Sequence, residues 1–297
     1  MPIKLQANVI LKRFTTFKIG GPARYFICVK TIQDVVSAIK FAKKNKLKFL
    51  IIGKGSNILI DSKGFDGLAI LNKITYLNIE GNLVTVGSGY KYPLLAHKLL
   101  KKELTGLEFA AGIPATVGGA IFMNAGANGY QTSDVLERVV YLTEDMKIVT
   151  FKKNELAFSY RKSSFQNEKG VILEATFNLK PMKDGKKLQS ALTDYRVKTQ
   201  PYSSYSAGCI FQNPQKDIAA AYLIDQCGLK NKRIGDAAVS EKHANFIIND
   251  GNATSDDVLN LIDYIKAKVK EKTGYSLSKE VRCIPYGKWL QSRPSLP

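Results

Sequence analysis

The chain has 297 residues, 45% of them hydrophobic and 23% charged; that is enough to bury a large core in two or three folded units, and it excludes a disordered or fibrous protein. No apolar run approaches a bilayer span and Met1–Lys12 lacks a signal-peptide core, so a cytoplasmic protein with no membrane partner is expected. The net charge of +19 comes from 44 basic against 25 acidic residues, but only eight of the 44 are Arg, the preferred reader of bases, so no nucleic-acid partner is expected and the scattered Lys residues read as solvated surface.

In chain order, residues 24–29 read as a strand, and residues 32–44 carry Val35, Val36, Ile39 and Ala42 at helical spacing. Lys48–Ile52 is a short strand, Gly53–Asn57 a tight turn and Ile58–Ile60 another strand. A second unit begins near residue 75, with a strand at 83–87 and a helix at 92–102 built on Leu94, Leu95, Leu99 and Leu100. Gly106–Gly129 is rich in Gly, Ala and Asn. Strands are expected at 138–143, 147–151 and 171–179. The polar run 181–187 marks a domain boundary, giving 1–182 (subdomains about 1–74 and 75–182) and 183–297. Beyond it, 217–227 and 254–272 read as helices, and 244–249 and 276–284 as strands. Thr254 with Asp257 forms a capping pair, and Gly274 ends the last helix. Strands and helices do not strictly alternate, which implies an α+β fold.

The stretch Ser206-Ala207-Gly208-Cys209-Ile210-Phe211-Gln212-Asn213-Pro214 is the most informative. Small residues expose a protic side chain at Cys209, and Asn213 offers an amide nearby. A thiol releases a proton far more readily than a serine hydroxyl. Cys28, Cys227 and Cys283 read as small buried residues. With no CxxC pair and only His97 and His243, no metal site is expected, and a nucleophilic Cys-His pair has no partner motif.

Gly53-Lys54-Gly55-Ser56-Asn57 fits neither the P-loop nor the dinucleotide fingerprint, because Gly-Lys-[Ser/Thr] is absent and no helix opens after it. It is either a plain turn or a nest of N–H groups for phosphate oxygens. The second glycine-rich stretch, with Gly118, Gly119, Asn124 and Gly126, tilts the balance. Two such segments, one per subdomain, suggest a dinucleotide held between them. Arg161 is either a surface charge or a fork for a carboxylate. Glu280 is either half of a surface ion pair, a partner orienting an Arg, or a proton relay.

Taken in order, Thr15–Ala23, Gly53–Asn57, Gly112–Gly129, Ser159-Tyr160-Arg161, Ser206–Pro214 and Glu280-Val281 resemble the UDP-N-acetylenolpyruvoylglucosamine reductase family over nearly the whole chain. The resemblance implies an FAD-binding region of the vanillyl-alcohol-oxidase/PCMH type in 1–182 and a substrate domain in 183–297, with about 275–297 packing back on the first subdomain. It implies FAD as cofactor and NADPH as co-substrate. The cofactor contacts it implies are Gly53, Lys54, Gly55, Ser56, Asn57, Ile113, Pro114, Gly118, Gly119, Asn124, Ala125 and Gly126. Arg161 and Glu280 match the family's catalytic Arg and Glu, and Cys209 stands where most members carry a proton-donating Ser. Tyr160, Lys198 and Asn213 would touch the substrate, the enolpyruvyl ether of UDP-N-acetylglucosamine, whose reduction serves peptidoglycan precursor synthesis. The Ser-to-Cys change keeps the donor and adds sensitivity to oxidation and alkylation. Only 48 positions separate Arg161 from Cys209, which resembles the family's shorter form, without a Tyr-bearing loop. A monomer is expected.

Two rivals make different predictions. A flavin oxidase of the same superfamily often carries covalent flavin on His or Cys, and neither glycine segment contains either residue. A nucleic-acid-binding protein would be colourless and would bind DNA with a steep salt dependence.

Overall fold

The computed structural model describes residues 4–182 and 185–287. A four-stranded sheet opens the fold, in the order β1 (Gln6–Ile10), β2 (Pro22–Val29), β5 (Phe65–Asn72), β3 (Lys48–Ile52). β1 runs antiparallel to β2, while β2 and β3 both run parallel to β5. Between β2 and β3 lies α1 (Ile32–Lys44), whose Thr31–Asp34 capping box satisfies the N–H groups that a helix start leaves free. Its buried face, Val35, Ala38, Ile39 and Ala42, packs with Ile27, Leu68 and Ile70 of the sheet. The short β4 (Ile58–Ile60) follows the Gly53–Asn57 loop.

The second unit is a five-stranded antiparallel sheet, Ile148–Lys152, Leu136–Leu142, Val171–Asn178, β7 (Leu83–Gly87) and β6 (Leu77–Glu80), in that order. Two helices, α2 (Tyr92–Leu100) and α3 (Val117–Phe122), cover it and share its core with Val84, Val86, Val139 and Phe177. Leu142, Val171 and Leu173 of this sheet also belong to the core under α1, so the two sheets are packed together.

The C-terminal part holds a four-stranded antiparallel sheet, Tyr205–Cys209, Phe246–Asn249, Ala237–Val239 and Arg233–Ile234. α5 (Ala220–Gln226) and α6 (Ser255–Thr273) pack on it. α6 begins with the Thr254–Asp257 capping box and ends at Gly274, left-handed at φ 77°. Phe17, Ile19 and Leu59 enter this core from the first unit. The strand Arg282–Ile284 returns to pair in parallel with β4. A further helix, α4 (Gly185–Thr199), follows the 181–187 run, of which residues 183–184 lie outside the described residues. Gly185 sits against Leu100 and Glu108, so α4 starts on the second unit.

Several expected elements come out shorter, and three of them have a visible cause. The helix expected at 217–227 begins only at Ala220, because Gln215–Ile218 closes a turn and Asn213 Oδ1 accepts the N–H of Ala220. α2 stops at Leu100, since Glu103 turns left-handed at φ 54°. Only 282–284 of the strand expected at 276–284 pairs along its length. Residues 278–281 instead cross Ile210–Gln212, where Ile210 O accepts the N–H groups of both Glu280 (2.8 Å) and Val281 (3.4 Å). Among the described residues, no helix is long and apolar enough to cross a membrane.

Candidate active site

Arg161 stands at the tip of a two-residue hairpin between Phe158–Ser159 and Lys162–Ser163. Its backbone is left-handed, φ 58°, a conformation that a side chain other than Gly or Asn adopts at a cost. The hairpin is held from below. Gln166 Nε2 donates to Arg161 O (2.9 Å) and to Phe122 O (2.9 Å), and Asn124 Nδ2 donates to Ser159 O (3.0 Å). The guanidinium then reaches two acceptors: Nε donates to Glu280 Oε1 at 2.9 Å and Nη2 to Gly126 O at 3.0 Å.

Glu280 is placed from both sides by its backbone. Its N–H donates to Ile210 O at 2.8 Å, and its carbonyl accepts Asn57 Nδ2 at 3.2 Å. It therefore stands between the residue after Cys209 and the first glycine loop. Its side chain is 14% exposed and that of Arg161 is 22% exposed. Burial pushes the Glu280 carboxyl above the usual carboxylate range, against the pull of Arg161.

Cys209 ends its strand after a β-bulge between Ser206 and Cys209, with Gly208 left-handed at φ 74°. A bulge re-aims the side chain that follows it, and small residues at 207 and 208 make it possible here. Burial pushes the thiol up to about 12; the Glu280 carboxylate adds to the rise, and Arg161 and Arg196 oppose it. The sulfur is thus held as a neutral thiol. A thiol so held is less prone to alkylation and oxidation than an ordinary cysteine, because the thiolate is the reactive form. Tyr160 is 48% exposed, lies under the Arg161 guanidinium at 4.9 Å, and has its hydroxyl against the backbone of Asn213. Burial raises the Tyr160 phenol.

The two glycine segments touch each other. A Cβ on Gly53 would lie 2.3 Å from Thr116 Oγ1, and one on Gly118 would lie 3.0 Å from Ser88 Cβ. Gly55, at φ 67°, would place a Cβ 2.1 Å from Phe14 O, so no other residue fits there without moving the backbone. Thr16 ties this corner to the C-terminal sheet: its N–H donates to Gly55 O (3.1 Å) and its hydroxyl to Ser206 O (2.7 Å). Lys54 is exposed, while Ser56 and Asn57 are half-buried beside it. Ile113 is half-buried, and Pro114 and Gly119 are exposed on the turn into α3. Asn124 is fully buried, and its amide is spent on Gln131, Ser159 and Ser133. Ala125 O likewise accepts from Thr132. These two residues shape the wall of the corner through hydrogen bonds within the protein.

The match with known proteins follows these landmarks. Residues 23–152 match a model described as an FAD binding domain, and residues 200–284 match the UDP-N-acetylenolpyruvoylglucosamine reductase C-terminal domain. The chain is 50% identical over 287 residues to the UDP-N-acetylenolpyruvoylglucosamine reductase of Protochlamydia amoebophila, covering 96% of each chain. It is 44% identical to that of Chlamydia trachomatis serovar A, covering 96% of this chain and 98% of the relative. This chain belongs to the UDP-N-acetylenolpyruvoylglucosamine reductase family. The crystal structure of the reductase from Thermus caldophilus superposes with a TM-score of 0.82 at 34% identity, covering 96% of this chain and all of that one. Membership makes the chain an oxidoreductase with an FAD-binding region followed by the reductase C-terminal domain.

The residues present fit FAD. Side chains are missing where the Gly53–Asn57 loop meets the Thr116 turn, which leaves room for a ligand to approach the backbone. Against Gly112, a buried cationic nitrogen, Arg196 Nε, lacks a hydrogen-bond partner among the described residues. Arg196 escaped the sequence reading. It lies in a polar helix without a clear apolar face, and no motif marks it. Arg282, two residues past Glu280, was also missed; its guanidinium stacks 4.5 Å from the Phe122 ring, and burial lowers its pKa. The rarity of Arg among the basic residues was the one available signal for both. Lys198 is exposed near the end of α4, where it lines a pocket of about 370 Å³ with Tyr222, Lys242 and His243. Asn213 uses its oxygen on Ala220, and its NH₂ group makes no hydrogen bond to the described residues.

Proposed function

We propose that this chain reduces the enolpyruvyl ether of UDP-N-acetylglucosamine to the lactyl ether, UDP-N-acetylmuramate, at the expense of NADPH, and that Cys209 supplies the proton. The convergence of Arg161, Glu280 and Cys209, drawn from three distant parts of the chain, carries this reading. Bound FAD would supply hydride chemistry, taking a hydride from NADPH and passing it to carbon 3 of the enolpyruvyl group.

The protein's own side chains would do the rest. Negative charge develops at carbon 2 and spreads into the adjoining carboxylate. Arg161 would face that charge with its remaining N–H groups, since Glu280 takes its Nε and Gly126 O one hydrogen of Nη2. Fixed donors aimed at developing charge are commonly the largest catalytic contribution. The ion pair also fixes the guanidinium so that little reorganisation is needed. Cys209 then gives its S–H proton to carbon 2, and the resulting thiolate recovers a proton from solvent. A thiol held up to about 12 stays protonated through neutral and mildly basic pH, so the donor form is always present. Asn213 and Tyr160, on the same rim, would hold the sugar nucleotide. Gly53–Asn57 and Ile113–Gly126 would hold the cofactor. We take the working unit as a monomer and place the reaction in the cytoplasm.

The test is anaerobic. NADPH should bleach the bound flavin, and mixing with the enolpyruvyl sugar nucleotide should restore its absorbance with formation of the lactyl product. Bleaching without recovery would reject the substrate assignment, and a colourless protein would reject the reading altogether.

A further inference from the structure

The strand that pairs with Cys209 is finished by a side chain. Phe246 pairs with Cys209, and Asn245 O accepts the N–H of Ile210 at 2.8 Å. Next to Asn245 the chain turns, since Phe246 N–H donates to His243 O, and the strand offers Phe211 no further backbone. The Asn245 amide takes that place: Oδ1 accepts the N–H of Phe211 at 2.9 Å, and Nδ2 donates to Phe211 O at 2.8 Å. This is the double exchange that a hydrogen-bonded residue pair makes in an antiparallel ladder. Asn245 is 4% exposed, Phe211 1% and Ile210 0%, so these bonds are shielded from solvent and costly to leave unmade.

Residues 210–212 also carry the Glu280 segment. Ile210 O accepts the N–H of Glu280 at 2.8 Å, Phe211 bridges Lys279, and Gln212 N–H donates to Ser278 O at 2.9 Å. On the N-terminal side, the bulge between Ser206 and Cys209 interrupts the ladder. The firm hold on the segment therefore lies at Asn245, which gives it three hydrogen bonds. We propose that Asn245 is a positioning residue for the reaction: by completing the ladder at Phe211 it fixes the segment that bears Cys209 at its start and seats Glu280 on Ile210. This rests on the reading that Cys209 and Glu280 act when the reduced flavin meets the enolpyruvyl group. Asn245 touches neither of their side chains and acts through the backbone between them. A displacement of about 1 Å at reacting groups costs about 100-fold in rate, so a small slip of this segment is enough to be seen.

The experiment is stopped-flow absorbance of the FAD holoenzyme, comparing wild type, Asn245→Ala and Asn245→Gln well below their melting temperatures. Reduction of the flavin by NADPH should stay within about twofold of wild type in both variants, because the slip lies on the substrate side. Reoxidation by saturating enolpyruvyl sugar nucleotide should fall about tenfold to 100-fold in Asn245→Ala, with the KM for that substrate within about threefold. Asn245→Gln keeps both bonding groups on one extra methylene, so it should lose less than Ala and more than nothing. It also decides the matter if Asn245→Ala, which leaves two buried backbone groups unpaired, does not fold. A lowered melting temperature with unchanged reoxidation would overturn the proposal and leave Asn245 a framework residue. Equal slowing of both half-reactions would overturn it too, since that is general damage and not positioning. If the wild type's reduced flavin is not reoxidised by this substrate, the functional reading itself fails; if wild type turns over and both variants match it, only the role of Asn245 fails.

Discussion

The glycine corner proposed for the cofactor and the cluster proposed for catalysis lie side by side and are built in opposite ways. The corner is made by leaving side chains out: Gly53 clears Thr116, Gly55 clears Phe14 O, and Gly112 clears Arg196. The cluster is made by bringing side chains in: a strained hairpin presents Arg161, a bulge aims Cys209, and a strand end sets Glu280. Absence is local and tolerates no addition. Presence is long-range and tolerates chemical exchange where charge and reach are kept. The difference teaches that substitutions should damage folding and flavin retention in the first region, and rate in the second.

The largest expected effect is on rate. Cys209→Ala should leave reduction of the flavin by NADPH intact and slow its reoxidation by the enolpyruvyl substrate about 10²–10⁴-fold, the usual worth of a general acid. Stopped-flow absorbance of the two half-reactions checks this; an unaltered second half-reaction would remove Cys209 from the mechanism. Next comes the corner. Gly55→Ala puts a side chain at φ 67° and 2.1 Å from a carbonyl oxygen, which should cost about 2 kcal/mol or more. A thermal melt reads it, with flavin loss on gel filtration as the companion signal. If the variant melts like the wild type and stays yellow, the corner is not built by exclusion.

Smaller effects should follow in the cluster. Arg161→Lys keeps the charge but loses the fork to Glu280 and Gly126, and should lower kcat about 10-fold to 100-fold with a near-normal melting temperature. Cys209→Ser should cost least, about tenfold or less in the second half-reaction, since a hydroxyl can stand in for a neutral thiol. The pH dependence sharpens this last comparison. With its thiol held up to about 12, only about 10⁻⁴ of Cys209 is thiolate at pH 8. Iodoacetamide should therefore modify Cys28, which is exposed and not buried as its residue type suggests, well before Cys209, which peptide mass spectrometry resolves. For the same reason, raising the pH to 10 should not remove the proton donor, and the rate profile should show no basic limb from this group.

Local pattern explains what could be read from the amino acids and what could not. β3, β4 and α1 stand where their apolar spacing and the turn at Gly53 put them, because pleat, helical period and glycine turns act within a few residues. The N-terminal cap and C-terminal stop of α6 follow from Thr254, Asp257 and Gly274 for the same reason. By contrast, α4 and the strand β5 went unrecognised. α4 has mean polarity without a clear apolar face, and the buried run Gly67–Asn72 of β5 carries no alternation, being covered on both sides. The strand expected at 276–284 breaks because the N–H groups of Glu280 and Val281 both turn to Ile210 O, a partner seventy residues away.

The site divides along the same line. Residue types alone left Arg161, Glu280 and the Gly53–Asn57 loop open to plain structural readings, and it was the resemblance of the ordered segments to a family that singled them out together with Cys209. Only the folded chain decides that Glu280 meets Arg161 rather than a surface lysine, that burial keeps the Cys209 thiol protonated, and that Arg196 lies against Gly112 with a donor to spare. Those are facts of distance and dielectric between residues far apart along the chain, and no spacing in the sequence encodes them.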